Sequence, residues 1–397
     1  SFRIIKRDRL PSKEPDKKQE YGRSILIEVL SIKNGKLVYA QPKGTLLSVG
    51  NFDFRWGPIS IADSTAITNP FISGNYSLVA TDLEYDLVEH HGFGVRKISL
   101  SDQNFLFSEI WLRPKYSREE FRKIIPYEKD MYDLTIDSLL VENPYLRINS
   151  IPPVFTSPEI NFRGVDFEIY RDKTLPDDPR QKKMYSEMLR VLELKLGIEK
   201  LNIDDAYIKY QERIDADRDL GMVEFYDLSA EIKNMTNMGM ASENFPKVQI
   251  DIQTNFMNTS DLKVKWEFDI SNERDEFRIS GRSTKIPPEA MNPFFIPAMN
   301  IKSKGSIDEL YFNIHGNKDE ALSNLKLRYH DFSVEVLKED GAGKKGIASF
   351  FANLILKSQS KNGSGTVQNV PVVRDKTKSF WNFYWKCIYG GLKEAML

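Results

Sequence analysis

One cysteine, Cys387, and four histidines are all the thiol and imidazole that 397 residues provide. An intramolecular disulfide framework and a cysteine-rich zinc site are thereby excluded. No run of 18 or more apolar residues occurs, so no stretch reads as a membrane-spanning helix. Neither sign of charge is in excess: 56 Lys and Arg stand against 57 Asp and Glu. With no basic stripe interleaved with aromatics, a nucleic-acid partner is not expected. The chain also lacks a P-loop, a dinucleotide fingerprint and a GxSxG elbow. His90-His91 precedes a Gly-Phe-Gly turn without metal-ligand spacing, and His330 reads as a strand position beside Asp331. Adjacent acids at Glu119-Glu120, Asp177-Asp178 and Asp204-Asp205 fall in helix or turn contexts, where capping and solvation account for them. No catalytic residue, cofactor or metal is expected, and the chain does not read as an enzyme.

What is present is apolar patterning. The 41% hydrophobic and 12% aromatic content is ample for a packed core, and one short pattern returns four times. Ile27, Leu30, Ile32, Gly35, Leu37 and Tyr39 set it in IEVLSIKNGKLVY. VRKISLSDQNFLF repeats it with Val95, Ile98, Leu100, Phe105 and Phe107. IDSLLVENPYLRI follows with Ile136, Leu139, Val141, Leu146 and Ile148, then IEKLNIDDAYIKY with Ile198, Leu201, Ile203, Ile208 and Tyr210. Apolar and polar residues alternate around Asn-Gly, Asp-Gln, Asn-Pro or Asp-Ala, so each copy predicts a β-hairpin. Such units bury their apolar faces only by stacking side by side. The expected fold is mainly β: an elongated, twisted antiparallel sheet of repeated hairpins forming an open groove, with a few short helices.

The chain divides by character. Residues 1–24 form a charged N-terminal tether, which through Arg23 carries eight basic and four acidic residues. The abrupt start at Ser1 predicts that an upstream segment, a membrane anchor in the sharper reading, has been removed. Residues 25–221 carry the repeats and two expected helices. One is Ser117–Ile125, with Glu120 in capping-box position. The other is Pro179–Leu196, ended by Gly197. Residues 222–339 are a second β-groove region, and 340–397 a flexible linker with apolar and aromatic helical segments. The linker from Lys357 to Lys378, with Asn362-Gly363-Ser364-Gly365, is expected to be mobile. Beyond it, Trp381, Tyr384, Trp385 and Ile388 form one side of a helix with a basic rim of Lys378, Lys386 and Lys393. That helix either packs on its own sheet or docks at a membrane surface or on a partner protein.

The succession NPFFIPAMNIKSKGSIDELYFNIHGNKDEALSNLKLRYHDFSVEVL, GIASFFANLILKS and FWNFYWKCIYGGLK resembles the C-terminal half of AsmA-like proteins. IEKLNIDDAYIKY resembles the hairpin repeat of the same superfamily, which includes TamB. The resemblance covers most of the chain from Ile25 on. It implies a periplasmic β-groove in a Gram-negative envelope, anchored in the inner membrane by an N-terminal helix, and a part in phospholipid traffic or outer-membrane biogenesis. The expected ligand is a phospholipid acyl chain, bound or conducted along an apolar face. That face would be made by Leu30, Ile32, Leu37, Tyr39, Ile98, Leu100, Phe105, Phe107, Leu139, Val141, Leu146, Ile148, Leu201, Ile203, Ile208 and Tyr210. Two alternatives stand beside it: a structural or adaptor subunit of an outer-membrane assembly or secretion machine, and a polysaccharide-acting hydrolase.

Overall fold

A computed structural model describes residues 4–5, 24–41, 44–62, 75–86, 89–337 and 362–396. The chain forms a single open 16-stranded sheet, twisted and not closed into a barrel. Its strands are β3 (Leu30–Gln41), β4 (Gly44–Trp56), β6 (Tyr76–Tyr85), β7 (His91–Ser101), β8 (Asn104–Pro114), β9 (Asp130–Glu142), β10 (Tyr145–Arg147), β11 (Val154–Asp172) and β12 (Lys195–Arg213). It continues with β13 (Gly221–Thr236), β14 (Val248–Phe256), β15 (Ser260–Phe268), β16 (Phe277–Ile286), β17 (Ile301–Gly316), β18 (Glu320–Val336) and β19 (Asn362–Val373). Three short strands, β1 (Ile4–Ile5), β2 (Ser24–Ile27) and β5 (Ile59–Ala62), form a separate small sheet. Strand order follows the chain from β19 at one edge to β3 at the other, with β10 paired to β11 off the main path. The sheet runs through residues 221 and 222 without a break, because β12 and β13 are paired.

Every neighbouring pair is antiparallel except β11 and β12, which are parallel. A parallel pair needs a crossover, and residues 173–194 supply it. β11 is 19 residues long, so the crossover must travel back about 60 Å at roughly 3.3 Å per residue. A helix over Pro179–Leu196 would cover only about 27 Å of that at 1.5 Å per residue. The helix that forms is correspondingly short, α2 at Tyr185–Arg190, and Gly197, expected to end it, lies inside β12. The predicted helix over 179–196 is therefore a nearly taut strap with one helical turn and a half in it.

The other helices follow local sequence closely. α1 (Arg118–Ile124) has the capping box expected at Ser117 and Glu120: the Ser117 amide donates to the Glu120 carboxylate at 2.8 Å, and the Glu120 amide to Ser117 Oγ. Its Phe121 packs with Met131 and Tyr170 on the outer sheet face. α3 (Asn292–Met299) ends at Asn300, in the left-handed region at φ 57°. α4 (Phe380–Met396) carries the aromatic segment.

The repeated pattern has a different structural meaning from the one expected. Only VRKISLSDQNFLF is a hairpin, β7 to β8. The first and fourth copies run through their turn residues as the single strands β3 and β12. In the third, β10 turns away after Asn143-Pro144 and pairs with β11 instead of returning along β9. Asn34 (φ 52°) and Asp205 (φ 57°) adopt the left-handed conformation that the turn chemistry suggested. The sheet absorbs each as one extra residue, a bulge. Residues 362–365, expected in a mobile linker, open the edge strand β19; residues 357–361, the tether through residue 23 apart from Ile4–Ile5, and the apolar segment 347–358 lie outside the described residues.

Candidate functional site: an apolar trough

Residues paired across strands share a face, so the pairing register traces each row of the sheet. One row runs Ile32, Phe54, Leu78, Leu100, Phe105, Val141, Ile160 and Leu201. It continues through Ile232, Ile250, Trp266, Ile279 and Ile314 to Ser323 and Val370. From β3 to β17 no polar side chain interrupts it. A parallel row holds Phe52, Ala80, Ile98, Phe107, Leu139, Phe162 and Ile203. The opposite face is polar at the same level: Asn51, Thr81, Lys97, Ser108, Ser138, Arg163 and Asp204.

The curl of this face has a local cause. Between Val49 and Asn51, and at the matching place on six further strands, one residue drops out of the register on both partners at once. These residues are Gly50, Asp82, Arg96, Glu109, Asp137, Gly164 and Asp205. Asp82, Glu109, Gly164 and Asp205 have φ between 52° and 64°. An extra residue sharpens the local bend, and seven aligned ones crease the sheet from β4 to β12. On the outer rim of the crease Arg96 bridges Asp82 at 3.6 Å and Glu109 at 3.7 Å. At its floor Ala80, Val95, Ile98, Ile110 and Ile136 are buried, with Phe52, Phe93, Phe107 and Phe162 packed against them.

Fifteen of the sixteen groove residues named from sequence lie on this face: Leu30, Ile32, Leu37 and Tyr39 on β3, Ile98 and Leu100 on β7, Phe105 and Phe107 on β8. Leu139 and Val141 follow on β9, and Leu201, Ile203, Ile208 and Tyr210 on β12. Leu146 joins through its pairing with Phe155, which packs in the same cluster. Ile148 does not: it sits in a turn after β10 and is 56% exposed. Sequence reasoning missed the contributions of β4, β6 and β11. Their signal was available: Leu47, Val49, Phe52 and Phe54, or Ile160, Phe162, Val165 and Phe167, show the same spacing. A pattern of two apolar pairs around two polar residues reads alike in both chain directions.

Toward one rim the face turns polar. Tyr132, Ile169 and Tyr210 form a row, followed by Asp130, Arg171 and Glu212. Arg171 donates two hydrogen bonds of 2.6 Å to the Asp130 carboxylate, and Tyr210 donates to Glu212 at 2.8 Å. Burial first, then the neighbouring carboxylates, holds both tyrosines protonated well above their usual range. The Tyr132 amide donates to His91 Nε2 at 3.0 Å, and burial pushes the His91 pKa down. These groups satisfy one another. Among the described residues no group of three metal-ligating side chains occurs.

His330 does not act with Asp331. Its Nδ1 lies 2.8 Å from the Asp308 carboxylate, in an open depression on the outer face lined also by Arg328, Tyr329, Gly363 and Ser364. The hydrogen bond from His330 lowers the Asp308 pKa.

The C-terminal helix lies on the sheet. Phe380, Phe383, Cys387 and Ile388 are buried in one cluster with Trp266, Phe277, Ile279, Phe312 and Leu325. Phe380 stacks on Trp266 at 4.9 Å with planes 5° apart. Of the four docking candidates, Ile388 is buried, Tyr384 packs against that cluster with its ring 6.0 Å from Phe312, and Trp385 has its ring 6.2 Å from Phe294. Trp381 alone is exposed. Of the expected basic rim, Lys378 is engaged by Glu128 and Asp177. Packing on its own sheet, one of the two expectations for this segment, is the arrangement observed. Among the described residues no helix is long and apolar enough to cross a membrane. No family model matches the chain, and no curated protein matches it in a sequence search.

Proposed function

We propose that the protein binds the acyl chains of a phospholipid in the creased apolar trough, as an AsmA-like component of a Gram-negative envelope. The observation that carries this reading is the unbroken apolar row from Ile32 on β3 to Leu201 on β12, in the part of an open sheet that α4 does not fill. Transfer of about ten methylenes from water contributes roughly 8 kcal/mol at ~0.8 kcal/mol each. That exceeds the lower figure of about 4 kcal/mol for lost freedom on association. No fixed polar partner is required, which suits a face whose polar groups are already paired. The envelope location and membrane attachment rest on the resemblance of the C-terminal segments and of IEKLNIDDAYIKY.

A second reading is favoured by the burial of the crease floor, where Val95 is 3% exposed. A dry floor serves a structural or adaptor subunit equally well. Native mass spectrometry separates the two. The lipid reading expects phospholipid bound to the purified protein and lost on Leu37→Glu, a substitution at an exposed trough position that leaves the melting temperature unchanged. Lipid-free protein with an intact fold, even after incubation with phospholipid vesicles, overturns it in favour of the adaptor.

A further inference from the structure

The crossover that the single parallel pair demands does not pass over the outer face. It runs inside the trough. Met184 is 2% exposed and packed with Val248 and Trp266 of the apolar face. Tyr185 has its ring 5.5 Å from Trp266 and 5.7 Å from Phe380. Leu189 touches both the cluster of the first strands and that of the later ones, and Leu194 packs against the first. The strap thus crosses the inner face where β12 passes into β13.

It is fastened along its length. Arg190 donates to the Ile270 and Asn272 carbonyls at 2.7 and 2.9 Å and to the buried Asp275 carboxylate at 2.7 Å. Ser186 donates to the same carboxylate at 2.9 Å. Asn237 donates to the carbonyls of Leu189 and Leu194 and accepts from the Leu196 amide. The Lys182 amide donates to the Lys376 carbonyl at 2.7 Å, joining the strap to the segment before α4. Beyond the strap, α4 fills the face of the later strands. On the near side exposure rises toward the free edge: Ile32, Leu37 and Tyr39 of β3 are all exposed.

We infer that the strap is an end wall, so that ligand occupies only the part of the trough built by β3, β4, β6, β7, β8, β9, β11 and β12, entered from the β3 edge. This deepens the lipid reading above and rests on it. Eight strands at about 4.8 Å spacing give a trough of roughly 34 Å. Half of the ~30 Å hydrocarbon thickness of a bilayer, about 15 Å, is the reach of one acyl chain. The compartment therefore holds about two chain lengths end to end. In this state the protein is a carrier and not a through-conduit along all its strands.

The test places a photo-crosslinking amino acid, p-benzoylphenylalanine, at Phe107 or Val264, partly buried positions of the same face on either side of the strap. Leu139 and Ile252 serve as an independent second pair. Each full-length variant is first checked for an unchanged circular dichroism spectrum, then irradiated with vesicles of a diacyl phosphatidylethanolamine. Lipid adducts at Phe107 and Leu139 exceeding those at Val264 and Ile252 by about tenfold or more are expected. Comparable adducts on both sides overturn the end wall while leaving lipid binding intact. Adducts at none of the four positions in folded protein overturn lipid binding itself.

Discussion

Truncation of Phe383 tests whether α4 is part of the core. Its ring is 1% exposed and lies 6.0 Å from Phe277, among Cys387, Ile388 and the β14–β18 face. Phe383→Ala removes a full aromatic side chain and leaves a void that a sheet-backed site closes only in part. The expected loss is about 3–5 kcal/mol, the sum of lost transfer and residual cavity. Trp381 stands in the same helix turn but is 53% exposed. Its ring meets Tyr185, Trp266 and Tyr384 at 6.0 to 6.3 Å, so Trp381→Ala gives up roughly half of a buried ring, about 1–2 kcal/mol. Urea denaturation followed by far-ultraviolet circular dichroism reads both. The midpoint of Phe383→Ala should fall by more than twice as much as that of Trp381→Ala, with the slope unchanged. Tryptophan emission adds an independent sign: undocking of the helix exposes Trp266, which Phe380 covers, and shifts emission to the red. Equal midpoints for Phe383→Ala and the unsubstituted protein would refute the core role and return the segment to external docking.

Two further expectations concern the crease and the thiol. Gly164 has φ 64°, and a Cβ there would overlap the Asp137 carboxylate. Gly164→Ala should cost about 2 kcal/mol or more by thermal denaturation, whereas Gly239→Ala, at φ 76° in open space, costs only the backbone strain of about 1 kcal/mol; equal losses at the two sites would deny the crease its tight packing. Burial pushes the Cys387 thiol up to about 12, from a usual value near 8.5. A raised thiol favours the folded state fully below the unfolded value and progressively less as pH climbs above about 8.5. At pH 8 the native protein should therefore resist a disulfide-exchange reagent such as DTNB that modifies the denatured chain at once; immediate modification of native protein would show α4 undocked.

How much of this was legible follows from the residues. The mainly β class, the capping box at Ser117 and the inward face of β3, β7, β8, β9 and β12 were all in the spacing. What spacing alone does not resolve is whether two polar residues between apolar pairs reverse the chain or bulge it. Asp102-Gln103 reverses it and Asp204-Asp205 does not, because each choice depends on the strand waiting alongside. The segment 179–196 has helical periodicity in Met184, Met188, Val191 and Leu192, yet Met188, Val191 and Leu192 are exposed. Tertiary distance overrode propensity there, since the parallel pair must be spanned. Asn362-Gly363-Ser364-Gly365 has linker composition, but Gly363 lies under the Tyr329 ring, and a Cβ at Gly365 would overlap the Ala395 carbonyl at the end of α4. Glycine here permits close approach, which composition cannot distinguish from looseness. The union of His330 with Asp308 depended on a register 22 residues apart in sequence.

The crease also explains why the apolar face can be continuous at all. In a strand of strict alternation, one extra residue on one strand only would carry every following side chain to the opposite face and break the row. Here the insertion occurs on β4, β6, β7, β8, β9, β11 and β12 at the same level, so apolar rows on both sides of it stay inward. At the two ends of this set the match is lost: the register shifts between Ile32 and Leu37 on β3 and between Ile203 and Ile208 on β12. Those are the free edge and the strap. Past the strap the paired omission lapses on β14 and β15, whose pairings are continuous, and returns once, between β16 and β17, at Lys285 (φ 55°) and Asp308. A sheet covered by helices needs no fold of its own to shelter its apolar side; an uncovered one does. The crease is continuous from β4 to β12, whereas α4 buries its apolar side against the later strands, and that contrast is the reason to look for ligand on the first strands and not under the helix.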